Sequence, residues 1–233
     1  MSLEISKNLE QIKASDPELR EGAYLRFLEL FSDEENQLTI EKKHLILEEL
    51  CSDNYLFYGI EEGISDCTVG RSFSLLILSL LVAYDKKNEL EVERIVTPLL
   101  KYIDRESDFR GKDDRLGWVH SLAHLGDLLS FMAEHDRISK ETIELISVKV
   151  ILKIISLKDF LLNYGEDKRL AIGLFYALEK CGNNKAIMET LLRGVKLDYP
   201  FKKNSENIVR CLYIQLMTES KNKNLVDAIK GLL

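Results

Sequence analysis

Residues 116–134 read LGWVHSLAHLGDLLSFMAE, and their spacing is that of a helix. At about 100° of rotation per residue, Trp118, Leu122, Leu125, Leu129 and Met132 share an apolar face, while Ala123, Gly126, Ser130 and Ala133 form a flank small enough for another helix to approach closely. The same period recurs along nearly the whole chain, with no run of strict alternation long enough for a sheet. The sequence therefore predicts an all-α protein. Its helices are expected at Leu3 to Ala14, Pro17 to Phe31, Thr39 to Leu50, Val69 to Tyr84, Glu89 to Ile103, Leu116 to Glu134, Ser139 to Leu157, Glu166 to Cys181, Asn184 to Val195, Ser205 to Thr218 and Asn222 to Leu233. Ser139 with Glu141 and Thr142 opens one helix, Cys181-Gly182-Asn183-Asn184 closes one and starts the next, and Tyr199-Pro200 closes a loop.

Most connections are short, so successive helices should lie antiparallel. Helix pairs recurring at roughly 40 residues suggest a right-handed α/α superhelix of HEAT or armadillo type. No Pro/Gly/Ser-rich linker divides the chain, which reads as one domain over residues 1–233. Two longer connections, Ser52 to Thr68 and Arg105 to Arg115, are rich in Asp, Gly and Ser, and binding residues tend to collect in such loops.

Composition agrees with this reading. With 45% hydrophobic and 30% charged residues but only 3 Pro and 12 Gly, the chain can bury a core and has few helix breakers. A net charge of -7 and a pI near 5.3 make the surface repel phosphate backbones and anionic head groups, so neither nucleic acid nor membrane is an expected partner. The most apolar run, Phe73 to Ala83, falls well short of the roughly 20 residues that span a bilayer. Met1 to Lys13 carries Glu4, Lys7, Glu10 and Lys13 and does not read as a signal peptide, so a cytoplasmic location is expected. Cys51, Cys67, Cys181 and Cys211 form no C-x-x-C pair and are expected as buried, reduced thiols.

The chemistry concentrates in the quoted stretch. It holds the sole Trp and two of the four His. On a helix, His120, His124 and Asp127 would form one narrow stripe roughly opposite the apolar face. Three readings are open. The stripe could hold a divalent metal, giving a metal-dependent hydrolase with Asp108 or Glu166 as general base, although Ser121, Leu122 and Ala123 stand where H-E-x-x-H would place its glutamate. The histidines could instead be partly buried groups hydrogen-bonded to Asp127 and the charged loop. Or Trp118, the histidines and nearby arginines could bind an organic anion or a partner's peptide. Apart from that metal, no cofactor is expected.

Other signals are weaker. The His135-Asp136 doublet is reminiscent of metal-dependent phosphohydrolases but reads as a solvated helix end. Arg71 is either a solvated end residue or a charge reaching the groove. Lys202, Lys203, Lys221 and Lys223 make a small basic end. There is no Gly-rich phosphate loop, G-x-S-x-G elbow or dinucleotide fingerprint, which argues against the common nucleotide-handling enzymes.

Taken in order, Asn54-Tyr55-Leu56-Phe57, Arg71-Ser72-Phe73-Ser74, Asp108-Phe109-Arg110-Gly111, the G-W-x-H-x-x-A-H-x-x-D run from Gly117 to Asp127, and Gly165-Glu166-Asp167-Lys168-Arg169-Leu170-Ala171 resemble the motifs of a bacterial family, domain of unknown function 2785. The resemblance covers most of the chain and implies a helical-repeat-like cytoplasmic protein with no established activity. It also implies a shared site at Arg71, Asp108, Arg110, Trp118, His120, His124, Asp127, Glu166 and Arg169. The preferred expectation is a non-enzymatic scaffold that binds a protein or peptide. A metal-dependent hydrolase is the alternative, and a small anionic ligand held by Arg71, Arg110 and Arg169 lies between the two.

Overall fold

Local capping sets where most helices begin. The computed structural model describes residues 3–33, 38–182, 184–199 and 201–233. Among these, the helices are α1 (Leu3–Gln11), α2 (Pro17–Ser32), α3 (Ile40–Leu50), α4 (Cys67–Ala83), α5 (Glu93–Arg105), α6 (Ser121–Glu134), α7 (Lys140–Ile154), α8 (Glu166–Cys181), α9 (Lys185–Val195), α10 (Phe201–Glu219) and α11 (Lys223–Lys230). Asp16 ahead of Pro17, Ser139, Asn184 and Asn222 each accept a first-turn backbone N–H, satisfying donors that a helix start otherwise leaves unpaired. The turn at Asn183 and the loop closure at Pro200 fall outside the described residues.

Three expected starts move by four residues or more: α10 begins at Phe201 rather than Ser205, and α5 and α6 begin late. Helix α5 begins at Glu93 rather than Glu89, because the Asp85 carboxylate accepts the N–H groups of Glu89 (3.3 Å) and Leu90 (2.8 Å) and holds that segment in a turn. Helix α6 begins at Ser121 rather than Leu116. Here a short hairpin intervenes, β1 (Lys112–Asp113) pairing antiparallel with β2 (Gly117–Trp118), Lys112 opposite Trp118. Asp113 Oδ1 accepts Arg115 N and Leu116 N, each at 3.0 Å, which turns the chain. Gly117, at φ 71°, supplies the left-handed residue that lets it return.

The helices pack in two rows. Helices α2, α4, α6, α8 and α10 lie side by side in one, and α5, α7 and α9 in the other. A continuous cluster of buried apolar side chains runs from Ile5 to Ile229. The tightest crossing is α6 on α8, and the predicted flank of small residues is its cause. A Cβ on Gly126 would lie 2.6 Å from the Arg169 carbonyl oxygen, and one on Gly173 2.5 Å from that of Gly126. Only glycine admits backbones so close.

Buried polar side chains near the start of first-row helices fasten the connectors. Arg20 of α2 donates to the Ala14 carbonyl (2.7 Å) and across to the Leu116 carbonyl. Arg71 of α4 donates to Tyr58 O (2.8 Å), while Asn204 of α10 accepts from Leu162 N (3.1 Å) and donates to Phe160 O (2.9 Å). Among the described residues no helix is long and apolar enough to cross a membrane. The four cysteines are free and half-buried, less enclosed than expected.

Candidate functional site

Helices α4, α6 and α8 bring their N-terminal ends to one edge of the first row, and the residues singled out in the sequence lie along it. They form three adjoining clusters rather than one pocket.

The first cluster is a closed ion-pair network. Arg71 is fully buried; its guanidinium grips Glu106 twice (2.6 and 2.9 Å) and donates to Tyr58 O and Thr68 Oγ1. Thr68 Oγ1 in turn donates to Asp108 Oδ2 (2.7 Å), which Arg110 also grips through Nε and Nη2. Burial pushes the Arg71 pKa down, but Glu106 above all, with Tyr102 and Asp108, raises it on balance. The remaining Arg110 donor groups reach Asp113 Oδ2 (2.7 Å) and Ser65 O (3.0 Å). Both arginines thus have their forks occupied by the protein itself.

The second cluster lies around the hairpin. The Gly111 carbonyl accepts Val119 N (3.0 Å) and His120 N (3.3 Å), ending the hairpin and placing His120 in the left-handed region at φ 53°. His120 therefore precedes α6 instead of lying on it. Its ring stacks on Trp118 (centroids 4.6 Å apart, planes at 16°), and its Nδ1 lies 3.4 Å from Glu166 Oε1. That contact is close enough for charge attraction but lacks hydrogen-bond alignment, and among the described residues neither atom has a hydrogen-bond partner. Glu166 Oε2 accepts Tyr164 N (2.8 Å). Burial pushes the Glu166 carboxyl up, but His120 and the backbone N–H groups of Glu166 and Tyr164 hold it below the usual range.

Trp118 departs from expectation. It sits on β2, 42% exposed, not on the apolar face of a helix; Leu122, Leu125, Leu129 and Met132 do form that face and are buried. Tyr164, 51% exposed, meets the Trp118 ring edge-on at 6.1 Å, and Lys112 Nζ lies 5.3 Å from the ring centre. Two exposed aromatic rings therefore stand on a buried His120 and Glu166 base.

The third cluster spans α4, α6 and α8. His124 Nδ1 lies 2.8 Å from Ser72 Oγ and 3.0 Å from the Ser72 carbonyl, which can only accept, so these contacts place the proton on Nδ1. Burial first, then the positive charge of Arg169 and the neighbouring His120, hold the imidazole well below its ordinary pKa. Asp127 points the other way, to Arg169, whose Nε donates at 2.9 Å. Burial lowers the Arg169 pKa to about 10.

The three residues of the expected stripe thus turn to different partners, His120 off the helix onto Trp118, His124 to α4 and Asp127 to α8, while the two imidazole rings stay 6.1 Å apart. Among the described residues no three His, Cys, Asp or Glu are placed to hold a metal ion.

Sequence reasoning missed several partners. Glu106, two residues before Asp108, carries the strongest pairing with Arg71 and lay inside a loop already singled out. Arg20, whose guanidinium lies 5.0 Å from the centre of the Phe73 ring, had no signal beyond its place in a helix's first turn. His135 does close α6, as expected, but is buried instead of solvated, its Nε2 3.1 Å from Asp85 Oδ2.

No curated protein matches the chain, and no solved structure does. Residues 56–219 match a family model described as "Protein of unknown function (DUF2785)", a span holding Arg71, the D-x-R-G turn, the hairpin with Trp118 and the His120/Glu166 pair. A match of that extent shows that the chain belongs to the DUF2785 family.

Proposed function

We propose that this chain is a single-domain, non-catalytic helical scaffold that binds a protein or peptide partner, with Trp118 and Tyr164 as its anchor. The observation that carries the proposal is the exposure of both rings on a rigid base. Trp118 is backed by His120 and carried on a hairpin whose Leu116 carbonyl accepts from the buried Arg20. Large aromatic side chains that are pre-ordered lose little freedom on binding and dominate the energy of many interfaces. The arginines suited to a small anionic ligand, Arg71, Arg110 and Arg169, already spend donors on Glu106, Asp108, Asp113 and Asp127. The engagement of His120, His124 and Asp127 with three different partners, Trp118, Ser72 and Arg169, likewise gives a metal-dependent hydrolase less support than a contact surface.

The two-row packing supports a HEAT- or armadillo-like, right-handed superhelix as the scaffold, since each first-row helix packs on the next in its row. Four free cysteines suit a reducing, cytoplasmic compartment.

The test uses the single tryptophan as its own reporter. A tagged chain and its Trp118→Ala and Tyr164→Ala variants, each checked for unchanged circular dichroism, are compared for proteins they retain from cell extract. The retained protein is then titrated into the wild type while tryptophan emission is followed. Loss of the partner in both variants, with a change in Trp118 emission on titration, is the expected result. Retention that ignores both substitutions, or no retained protein, overturns the proposal.

A further inference from the structure

The outward face of α7 carries apolar side chains that its own fold leaves uncovered. Leu145 is 50% exposed and Leu152 39%, with the half-buried Val148 between them. Spacings of three and four residues put the three on one strip. This strip borders a groove against α9, which runs parallel to α7. Where both helices begin, a cleft of about 260 Å³ is lined by Glu141, Glu144 and Ala186. Where they end, a cleft of about 390 Å³ is lined by Arg193, Leu197 and Phe201.

The groove is therefore apolar along its length, acidic at one end and basic at the other. We propose that a second copy of this chain occupies it, with α7 lying antiparallel on α7 about a two-fold axis. Such an axis makes a surface complementary to itself. With the axis between Val148 and Lys149, Leu145 of one copy faces Leu152 of the other, and Glu141 and Glu144 of each approach Arg193 of its mate. The two lysines beside the apolar strip, Lys149 and Lys153, do not oppose this arrangement. Lys149 is paired with Asp104, and Lys153 donates to the carbonyls of Asp104 (3.0 Å) and Glu106 (3.1 Å), so both are held toward α5 and the connector after it.

Sedimentation equilibrium on the full chain, from about 1 to 300 µM, tests the proposal, because an interface centred on one helix pair belongs with weak associations. A mass rising toward twice 26.8 kDa is expected. Leu145→Asp with Leu152→Asp, both at exposed positions, should weaken association by at least about tenfold while leaving the melting curve in place. Glu144→Arg and Arg193→Glu should each weaken it by about threefold to tenfold, and the two together should restore it, since the exchanged charges meet again across the axis. A monomer throughout the range overturns the proposal and leaves the groove to a different partner. So does a dimer indifferent to the leucine substitutions, or a double charge exchange that is weaker than either single one.

Discussion

Replacing Gly126 by alanine places a methyl group 2.6 Å from the Arg169 carbonyl oxygen and 2.7 Å from Leu170 N. Both are backbone atoms of α8, so no rotamer change relieves the contact. Ordinary packing needs about 3.5 Å or more, and the helices would have to part by about 1 Å, a gap that forfeits a quarter to a half of each dispersion contact it opens. Overpacking of this kind costs about 1–3 kcal/mol. Against it stands the helix preference of alanine over glycine, worth about 1 kcal/mol. Because the obstruction is rigid, the cost should sit at or beyond the upper end, for a net loss of about 2 kcal/mol and a fall in Tm of roughly 4–8 °C at this chain length. Gly22→Ala is the internal control. In α2 the new methyl would meet only the flexible end of Arg26, at 3.3 Å, so the preference of alanine should prevail and Tm should hold or rise. Thermal melts followed by circular dichroism decide the matter. If Gly126→Ala melts at or above the wild type, the close crossing of α6 and α8 is not what requires glycine there.

Three further outcomes are expected. Arg71→Met leaves Glu106 buried without its partner and should cost about 3–5 kcal/mol in urea denaturation, much of it recovered by adding Glu106→Gln. His124, held well below its ordinary 6.5, takes up a proton more readily in the unfolded chain. It thus contributes stability that is present above about pH 6.5 and is lost as pH falls below that value toward the folded-state pKa; urea midpoints between pH 7.5 and 5 should show a fall that His124→Gln reduces, and an unchanged slope would refute the assignment. Arg20→Met removes the buried donor to the Leu116 carbonyl, so Trp118 emission should shift to longer wavelength and hydrogen exchange in residues 112–118 should quicken before the global Tm changes by a comparable fraction.

The helical architecture was legible because local signals and tertiary packing agree over most of the chain. Helix α8 runs from Glu166 to Cys181 as predicted, bracketed by Gly165 and Gly182, both at positive φ. The start of α6 was misplaced for a physical reason. Trp118, Val119 and His120 satisfy helical spacing, but the Gly111 carbonyl takes the N–H groups of Val119 and His120 and commits them to a hairpin. That competition depends on a residue nine positions from His120, which periodicity does not register. At the site, residue types were legible and partners were not. Asp108 with Arg110, close in sequence, form a pair, whereas Arg71 with Glu106 and His135 with Asp85 are joined only once α4, α5 and α6 have packed.

Arg20 lies 96 residues from Leu116, on a helix two places from α6 in the first row. In a solenoid whose units touch only their neighbours, melting can begin at one end and travel inward, each unit failing in turn. Here, fraying of α1 and α2 at once strips a carbonyl near the middle of the chain of its donor, and loss of the middle leaves one arm of a buried guanidinium without its acceptor. The unfolding unit is therefore larger than a helix pair. A fragment confined to residues 56–219 would carry the hairpin but lack the side chain that disciplines it, and should refold with less cooperativity than the whole.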